Sequence, residues 1–510
     1  MSLNIRVEGG VMAEAKKFGK REIGLLAGII VFLIIFFVPI PGFEVTNGVG
    51  VAEGLGAGQT AATMAEAGQQ PIDMFGNHAG KTCLALSLMT VVFWATGVAQ
   101  NGFSAGVYLA LLCILQVAPP ANIFYAWSGT TMWLIIGAYL IANAVKVSGL
   151  GERIAYNYMS RFVTDYRSII LGIFVLTVVL SILIPHPWPR AFLIMSVMKV
   201  IIDSSGIGKE DAVKIGFAVF VASVPASLIF LTGDATINPL ATTYFGGATF
   251  VDWLIYMGPP SLIATVLTFI LFMVLFKPSQ DISINKEEIQ SKIEGLGKIQ
   301  GVELRTLIWL VIAIVLWMTD SIHHIDIAWI TFIIGMLLSF PIIGDILGAP
   351  DWGAVPMHVL VFLTAAMAIG RIGGITGMNG WIASVIFPST VPDNLFVLAL
   401  LMTVLTIVIH MLLGSVIAVM GVAVPAILAF TVGGDGALPA AKGWTLICYM
   451  AIAAHFIFPF QHLNMLVGSA PDTGNYTQKE TIKLGAPLTV IVILICVVVM
   501  VPWFSLLGIL

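Results

Sequence analysis

Long apolar runs recur along almost the whole chain, and they are continuous rather than alternating with polar residues. A helix needs roughly 20 apolar residues to cross a hydrocarbon core about 30 Å thick. The first run covers about 23–40, and later candidates lie near 82–99, 103–118, 128–147, 167–184, 191–202, 212–231, 251–277, 306–319, 326–343, 356–372, 394–413, 415–432, 443–459 and 482–508. Because continuous runs favour helices over barrel strands, the pattern predicts an all-α polytopic membrane protein.

Polar segments divide this apolar chain. Residues 1–22 carry Lys16, Lys17, Lys20 and Arg21 before the first run, which predicts a cytoplasmic N-terminus. Residues 43–80 are too polar to span and predict an extracytoplasmic loop. The longest charged segment, 277–305, separates a first transmembrane half (23–276) from a second (306–510), and its lysines predict a cytoplasmic linker.

Composition agrees with a membrane setting. Hydrophobic residues make up 59% of the 510 residues and charged residues only 10%, whereas soluble proteins have about 25% charged residues. The net charge of −4 and the lack of a basic face do not indicate nucleic-acid binding. No GxxxxGK[ST], HExxH or GxSxG motif occurs, so we expect neither an ATP-driven pump nor an enzyme.

Three landmarks repeat in the same order at nearly one spacing. Gly149 and Gly377 lie 228 residues apart, the breaks at Pro185 and Ser415 lie 230 apart, and TGDATIN and PFQHLN end 226 apart. Each match is weak, and Pro or Gly alone would only kink a packed helix. Together they predict a duplicated bundle with interrupted helices, which is typical of secondary transporters and places helix N-termini where they favour anions.

The chain resembles the divalent anion:sodium symporter family of the ion transporter superfamily. The segments WLIIGAYLIANAVKVSGLGERIA, LWMTDSIHHIDIAWITFIIGMLLSFP and HLNMLVGS…KLGAPLTVIVILI carry the resemblance. It implies about 11 transmembrane helices in two inverted repeats, each with a broken helix and a re-entrant hairpin (near 185–204 and 411–432). It also implies a homodimer in the plasma (cell inner) membrane, elevator movement, and dicarboxylate, citrate or sulfate as substrate, usually with sodium.

The chain departs from the family's most specific motif, the Ser-Asn-Thr at each hairpin tip. That motif falls on Pro185-His186-Pro187 and on Ser415-Val416-Ile417, where only Ser415 matches. The family's Thr-Pro-Pro-Asn becomes Ala235-Thr236-Ile237-Asn238 and Gln461-His462-Leu463-Asn464, which keep only the terminal asparagine. The asparagines that help the family bind sodium are therefore replaced here by His186 and Val416.

Position and polarity select the candidate site residues. The guanidinium of Arg190 suits an anion, although Trp188 beside it would also fit an arginine that snorkels at the membrane edge. Asp234 could bind a cation or cap a half-helix, and a histidine could carry a proton. The substrate candidates are Arg190, His186, Ser415, Thr236, Asn238, Gln461, His462 and Asn464, and the ion-coupling candidates are Ser181, Gly233, Asp234, Ser415 and His410.

We therefore expect a secondary active symporter of a small divalent anion such as a dicarboxylate, another organic acid, sulfate or a sulfonate. The coupling ion is Na⁺ or H⁺, and no other cofactor is expected. The alternative is a cation/proton exchanger on the same superfamily fold, with Asp234 and the histidines as its ion site. The two hypotheses differ because only the first requires Arg190 for function.

Overall fold

The computed structural model describes residues 19–46, 50–56, 58–282, 284, 286–386, 392–431, 438–471 and 473–510. Most of the predicted N-terminal segment (1–18), two linker residues (283 and 285) and the last residue of the second predicted hairpin (432) lie outside these ranges.

Helices dominate both halves of the described chain. In the first half they are α1 Lys20–Phe37, α2 Ala61–Glu66, α3 Ala79–Thr96, α4 Asn101–Ile114, α5 Pro120–Ile123, α6 Thr131–Ser148, α7 Leu150–Phe162, α8 Tyr166–Leu183, α9 Pro187–Ser204, α10 Lys209–Ala226, α11 Asn238–Thr242 and α12 Phe250–Leu275. From the linker onward they are α13 Lys286–Leu296, α14 Gly301–Met318, α15 Asp320–His323, α16 Ile327–Leu337, α17 Met357–Ile375, α18 Met378–Ile386, α19 Leu395–Leu413, α20 Val416–Thr431, α21 Leu438–Ala453, α22 Leu463–Gly468, α23 Gln478–Leu494 and α24 Val501–Leu506.

Short 3₁₀ segments join several helices, and a π-helical segment, Ile495–Met500, connects α23 to α24. The 3₁₀ segments are Tyr125–Trp127, Leu231–Asp234, Thr243–Phe245, Ala349–Ala354 and Pro459–Gln461. Two strands, β1 Gly50–Glu53 and β2 Gln69–Ile72, pair in parallel within the predicted extracytoplasmic loop, a feature that the sequence analysis did not predict.

Eight of the described helical segments are long and apolar enough to cross a membrane, counting Gln478–Leu506 as one. Three shorter apolar helices, Asn101–Ile114, Ile327–Leu337 and Val416–Ala429, accompany them. The all-α polytopic architecture is therefore confirmed, and this is a multi-pass membrane protein.

Helices of the second half follow those of the first at a nearly constant spacing. α4 and α16 begin 226 residues apart, as do α6 and α17; α9 and α20 begin 229 apart, and α12 and α23 begin 228 apart. Both halves contain a helix, a sharp turn and a second helix (α8–α9 and α19–α20), followed by an interrupted helix (α10–α11 and α21–α22). The duplication seen in the sequence is therefore a duplication of helix order.

In each half, the helix equivalent to α6 packs mainly on a helix of the other half. α6 packs mainly on α16, and its counterpart α17 packs mainly on α4, the counterpart of α16. Both crossings depend on glycine: a Cβ on Gly137 of α6 would lie 2.6 Å from the Thr331 carbonyl, and one on Gly102 of α4 would lie 2.7 Å from the His358 carbonyl. Since only glycine permits such backbone contact, the crossings are close and specific.

The chain forms two compact units, and their boundaries differ from those of the two sequence halves. One unit contains the described residues of Met1–Ala126 and Pro356–Pro388, and the other those of Trp127–Val355 and Ser389–Leu510. The exchange of α6 and α17 explains the difference, because α17 belongs to the second half by sequence and to the first unit by packing. All the candidate site residues lie in the second unit.

The charged linker contains a helix of its own. α13 packs on α7, and the guanidinium of Arg153 in α7 forms an ion pair with Glu303 at the start of α14. Arg153 also donates to the carbonyls of Leu296 (2.9 Å), the last residue of α13, and of Gly297 (2.8 Å), which follows it. The end of the linker is thus fastened to the helical bundle.

Candidate functional site

The turn between α8 and α9 is formed by Ile184, Pro185 and His186, where the sequence predicted a break. His186 caps α9, since its Nδ1 accepts from the Trp188 N–H at 3.2 Å. Because Nδ1 accepts, Nε2 is the protonated nitrogen and donates to the Tyr139 hydroxyl of α6 at 2.7 Å. Both ring nitrogens of His186 are therefore engaged within the protein.

Arg190 lies one turn further along α9 and is completely buried (0% exposed), so the snorkelling alternative is wrong. Its Nη1 donates to the carbonyls of Ile184 and Gly233, both at 3.1 Å, and its Nη2 donates to the Ser227 hydroxyl at 2.5 Å. Arg190 thus ties the first hairpin turn to the interruption between α10 and α11. Its Nε has no hydrogen-bond partner among the described residues.

In the first interruption, the Asp234 side chain caps the turn that follows it. Its Oδ1 accepts from the N–H groups of Thr236 (3.0 Å) and Ile237 (3.3 Å), and the adjacent Ala235 N–H donates to the Pro185 carbonyl at 3.1 Å. Asp234 is buried beside Arg190, yet within the described chain the two side chains form no ion pair. Asp234 therefore caps the turn that precedes α11, whereas the N-cap of α11 itself, Ile237, has no side-chain hydrogen bond.

Gly233 and Ser181 both contact backbone carbonyls near this turn. A Cβ on Gly233 would lie 2.5 Å from the Ser227 carbonyl, so this position requires glycine. The Ser181 hydroxyl in α8 donates to the Val178 carbonyl of its own helix at 2.7 Å.

The two asparagines that match the family motif hold the interruptions together. Asn238 Nδ2 donates to the carbonyls of Ser227 (2.8 Å), Phe230 (2.9 Å) and Leu231 (3.3 Å), while its Oδ1 accepts from the Tyr449 hydroxyl of α21. This bond joins residues from the two halves of the sequence.

Asn464 provides a second link between the halves. Its Nδ2 donates to the Ser223 hydroxyl of α10 at 2.6 Å. The two asparagines therefore bring α10, α11, α21 and α22 into one hydrogen-bonded core.

The second hairpin turns at Gly414 and Ser415, between α19 and α20. Gly414 has a left-handed backbone (φ +64°), and the ring of Phe460 would lie 2.5 Å from a Cβ placed there. The Ser415 Oγ accepts from the Ala418 N–H at 3.4 Å, in the manner of a helix cap. Phe460 thus places the tip of the second hairpin beside the second interruption.

The second interruption contains Gln461, His462 and a histidine that the sequence analysis missed. Gln461 Oε1 accepts from the N–H groups of Ile457 (2.6 Å) and Phe458 (2.8 Å), and His462 Nε2 donates to the His455 carbonyl at 2.9 Å. His455 lies within the apolar run near 443–459, seven residues before His462, where a single histidine has no pattern that marks a site.

His410 of α19 lies beside both His455 and His462. Its ring centroid lies 5.7 Å from those of both His455 and His462, and its Nε2 lies 3.3 Å from the Gln461 carbonyl. We call His410, His455 and His462 the histidine cluster. Within the described part of the chain, no group of three His, Cys, Asp or Glu side chains is arranged to hold a metal ion.

The predicted site residues therefore form two groups. His186, Arg190, Gly233, Asp234, Thr236 and Asn238 meet at the first interruption with Ser181 in the adjoining helix, and His410, Ser415, Gln461, His462 and Asn464 surround the second. In the described chain, most of these side chains already bond to backbone groups, which the sequence could not reveal.

Comparison with known proteins is consistent with this architecture. Residues 70–510 match the family described as the sodium:sulfate symporter transmembrane region. The chain belongs to this family. The resemblance stated from the sequence is therefore confirmed, and this sodium:sulfate symporter family member is a membrane transporter.

Individual relatives are distant from this family member. A membrane protein of Cupriavidus necator is 25% identical over 447 residues, which cover 81% of this chain and 85% of that protein. The putative malate transporter YflS of Bacillus subtilis is 24% identical over 49% of this chain and 55% of its own length. The sodium-dependent dicarboxylate transporter SdcS of Staphylococcus saprophyticus is 24% identical over 47% of this chain and 49% of its own length. The chain thus spans about half the length of these two named transporters.

One solved structure also aligns with the chain. The Alcanivorax borkumensis YdaH transporter gives a TM-score of 0.45 at 13% identity, covering 84% of this chain and 98% of that one.

Proposed function

We propose that this protein is a symporter that moves a small divalent anion across the plasma membrane together with a cation. The family's description includes sulfate and sodium, and named relatives are a putative malate transporter and a sodium-dependent dicarboxylate transporter. Malate, succinate and sulfate are therefore the first substrates to test, and sodium is the first coupling ion. The homodimer and the elevator movement implied by the resemblance stay predictions.

Buried polar atoms without partners carry this proposal. Among the described residues they include Nε of Arg190, Oγ1 of Thr232, Nδ1 of His410, both ring nitrogens of His455 and Nε2 of Gln461. Buried polar atoms are almost always paired, so a group of unpaired ones needs a physical reason. The atoms named lie at the two interruptions or in the hairpins beside them, where a polar substrate would satisfy them, whereas other unpaired atoms, among them Trp94 Nε1, Ser261 Oγ and Asn379 Oδ1, lie elsewhere in the described chain.

The charges at the first interruption support coupled transport. Arg190 and Asp234 are both buried there and carry opposite charges, so the interior is close to neutral before a substrate enters. A divalent anion bound in this interior would leave an uncompensated buried charge, which is costly. Co-binding of cations removes that cost, and this is the physical requirement that a symporter meets.

Gln461 offers a sharp test of the site. Its Oε1 caps two backbone N–H groups, while its Nε2 is buried and unpartnered among the described residues. Gln461→Glu preserves the capping oxygen and replaces the free donor by a negatively charged oxygen that repels an anion. We expect uptake of labelled malate, succinate or sulfate into proteoliposomes to fall by at least about ten-fold. The control Gln290→Glu, on the exposed surface of α13, should transport normally.

Each outcome of this test has a clear meaning. Normal uptake by Gln461→Glu would remove Gln461 from the substrate site. If no anion accumulates in any vesicle and a sodium gradient alone drives proton flux, the protein is a cation/proton exchanger and the symporter proposal is wrong.

A further inference from the structure

Three neutral oxygens from different parts of the first half converge on the guanidinium of Arg190. They are the carbonyls of Ile184 and Gly233, each 3.1 Å from Nη1, and the hydroxyl of Ser227, 2.5 Å from Nη2. No carboxylate of the described chain lies within ion-pair distance of Arg190. The positive charge is therefore held by neutral oxygens and has no direct anionic partner there.

Two helices end at this guanidinium. α8 ends at Leu183 with Ile184 as its C-cap, and α10, which also has 18 residues, ends at Ala226 with Ser227 as its C-cap. The C-terminus of a helix carries a partial negative charge, so both helix ends stabilise a cation that lies between them. Because Arg190 is fully buried, bulk water does not screen this interaction.

This arrangement of oxygens has the chemistry of a site for a small monovalent cation. In membrane transporters with broken helices, unwound backbone carbonyls and the C-terminal ends of half-helices coordinate the coupling ion. Carbonyl oxygens placed around an ion replace its shell of water. At the first interruption, groups of the same kind surround a cationic side chain of the protein itself.

The second half has no such side chain at the corresponding place. α9 and α20 begin 229 residues apart, so Arg190 corresponds to Val419. Residues 416–420 are all apolar, and neither lysine nor arginine occurs at positions 395–441 or 443–478. The chain thus supplies a permanent cationic head to the first interruption and none to the second.

We propose that the guanidinium of Arg190 is a tethered cation, which occupies a monovalent-cation site at the first interruption and attracts the transported anion from there. The inference rests on the proposed symport function and specifies which positive charge the chain itself supplies. A buried anion is costly without a nearby cation, and Arg190 provides one that never leaves the carrier. In the wild type, the mobile cations of the symporter therefore bind elsewhere than among these three oxygens.

The charge of Arg190 can be separated from its shape by substitution. Lysine places a charged ammonium with three N–H donors in this position, enough for the three oxygens. Glutamine offers two N–H donors without a charge, and alanine offers neither a donor nor a charge. A tethered cation requires the charge, whereas a residue that only fastens the turn to the interruption requires donors alone.

The first test compares uptake of labelled malate, succinate and sulfate into proteoliposomes, at anion concentrations below saturation. Arg190→Lys should stay within about three-fold of the wild type, and Arg190→Gln should fall by at least about ten-fold. The control Arg161→Ala, which removes an exposed arginine of α7, should transport like the wild type. Uptake by Arg190→Lys no greater than that by Arg190→Gln would overturn the proposal. The same holds if neither variant folds, because a charge at this position would then not be enough.

A second test asks whether removing the side chain opens a cation site. Purified Arg190→Ala is heated in detergent with guanidinium chloride or, as the control, the same low-millimolar concentration of choline chloride. A ligand that binds only the folded state raises the melting temperature. Guanidinium should raise the melting temperature of Arg190→Ala by several degrees, leave that of the wild type unchanged, and restore part of the lost anion uptake. If Arg190→Ala is not recovered folded in either salt, the comparison of Arg190→Lys with Arg190→Gln decides.

These outcomes distinguish the inference from the proposed function. If guanidinium does not stabilise folded Arg190→Ala while the wild type transports an anion, the tethered cation is wrong and the proposed symporter stands. If the wild type neither binds nor transports any of the three anions, the proposed function is wrong. Stabilisation of Arg190→Ala by guanidinium would then still support a cation site at the first interruption, but not its use in anion transport.

Discussion

The bond between Asn238 and Tyr449 gives a quantitative prediction about what holds the two halves together. Asn238 is fully buried (0% exposed) and uses its amide to reach three carbonyls and the hydroxyl of Tyr449. A buried group left without its partner costs about 1–3 kcal/mol. The Phe230 carbonyl also accepts from the Gly233 N–H, so its loss is partly covered. We therefore expect Asn238→Ala to lower the free energy of unfolding by about 3 kcal/mol.

A double-mutant cycle separates the bond between the halves from the rest of this effect. Tyr449→Phe removes one hydroxyl and should cost about 1 kcal/mol in the wild type and clearly less when Asn238 is already Ala. Asn157→Ala is the control, since Asn157 is exposed and bonds only within its own helix, and it should cost less than about 0.5 kcal/mol. Reversible unfolding in detergent measures the four proteins of the cycle and the control. A cost for Asn238→Ala no larger than that for Asn157→Ala would refute the reasoning.

Three other predictions concern the scaffold. Gly137→Ala should destabilise the protein by about 1–3 kcal/mol, because the new Cβ meets the backbone of α16 at 2.6 Å. The control Gly380→Ala, which has open space around its Cβ, should be neutral or stabilising in the same unfolding assay. Arg153→Ala removes the ion pair with Glu303 and the bonds to the linker, so trypsin should cut the linker several-fold faster than in the wild type; an unchanged rate would show that the ion pair does not hold the linker. Hydrogen bonds from Ser168 lower the pKa of Asp165, the cap of α8, so its contribution is full above the ordinary Asp pKa and is lost as pH falls through the lowered value. Asp165→Ala should therefore cost about 1 kcal/mol at neutral pH and less in acid, and a cost independent of pH would contradict this.

The interruptions could be predicted from the sequence because their causes are local. Pro185 and Pro187 exclude a continuous helix between α8 and α9, and Gly414 adopts the left-handed conformation that ends α19. The order of these breaks, repeated in both halves, was enough to predict the duplication and the class of protein. The departures at the hairpin tips were also visible in the sequence, since His186 and Ser415 do lie at the turns.

The partners of the site residues could not be predicted, because many are backbone carbonyls, which leave no trace in a sequence. Arg190 was selected as an anion contact, yet two of its three hydrogen bonds go to carbonyls, one of them 43 residues away. Asn238 meets Tyr449 across 211 residues. His455 was missed because a single histidine in an apolar run has no pattern, and only the fold brings it beside His410 and His462.

The exchange of α6 and α17 has a consequence for how such a protein can be divided. A fragment that ends before the linker would retain α6 without α16, and a fragment that begins after it would retain α17 without α4, so each would expose a helix face that normally packs closely on the backbone of another helix. The chain thus resembles an intertwined dimer whose two members were fused end to end. Two fragments cut within the linker should consequently be unstable when produced separately and should restore a functional carrier when produced in the same cell.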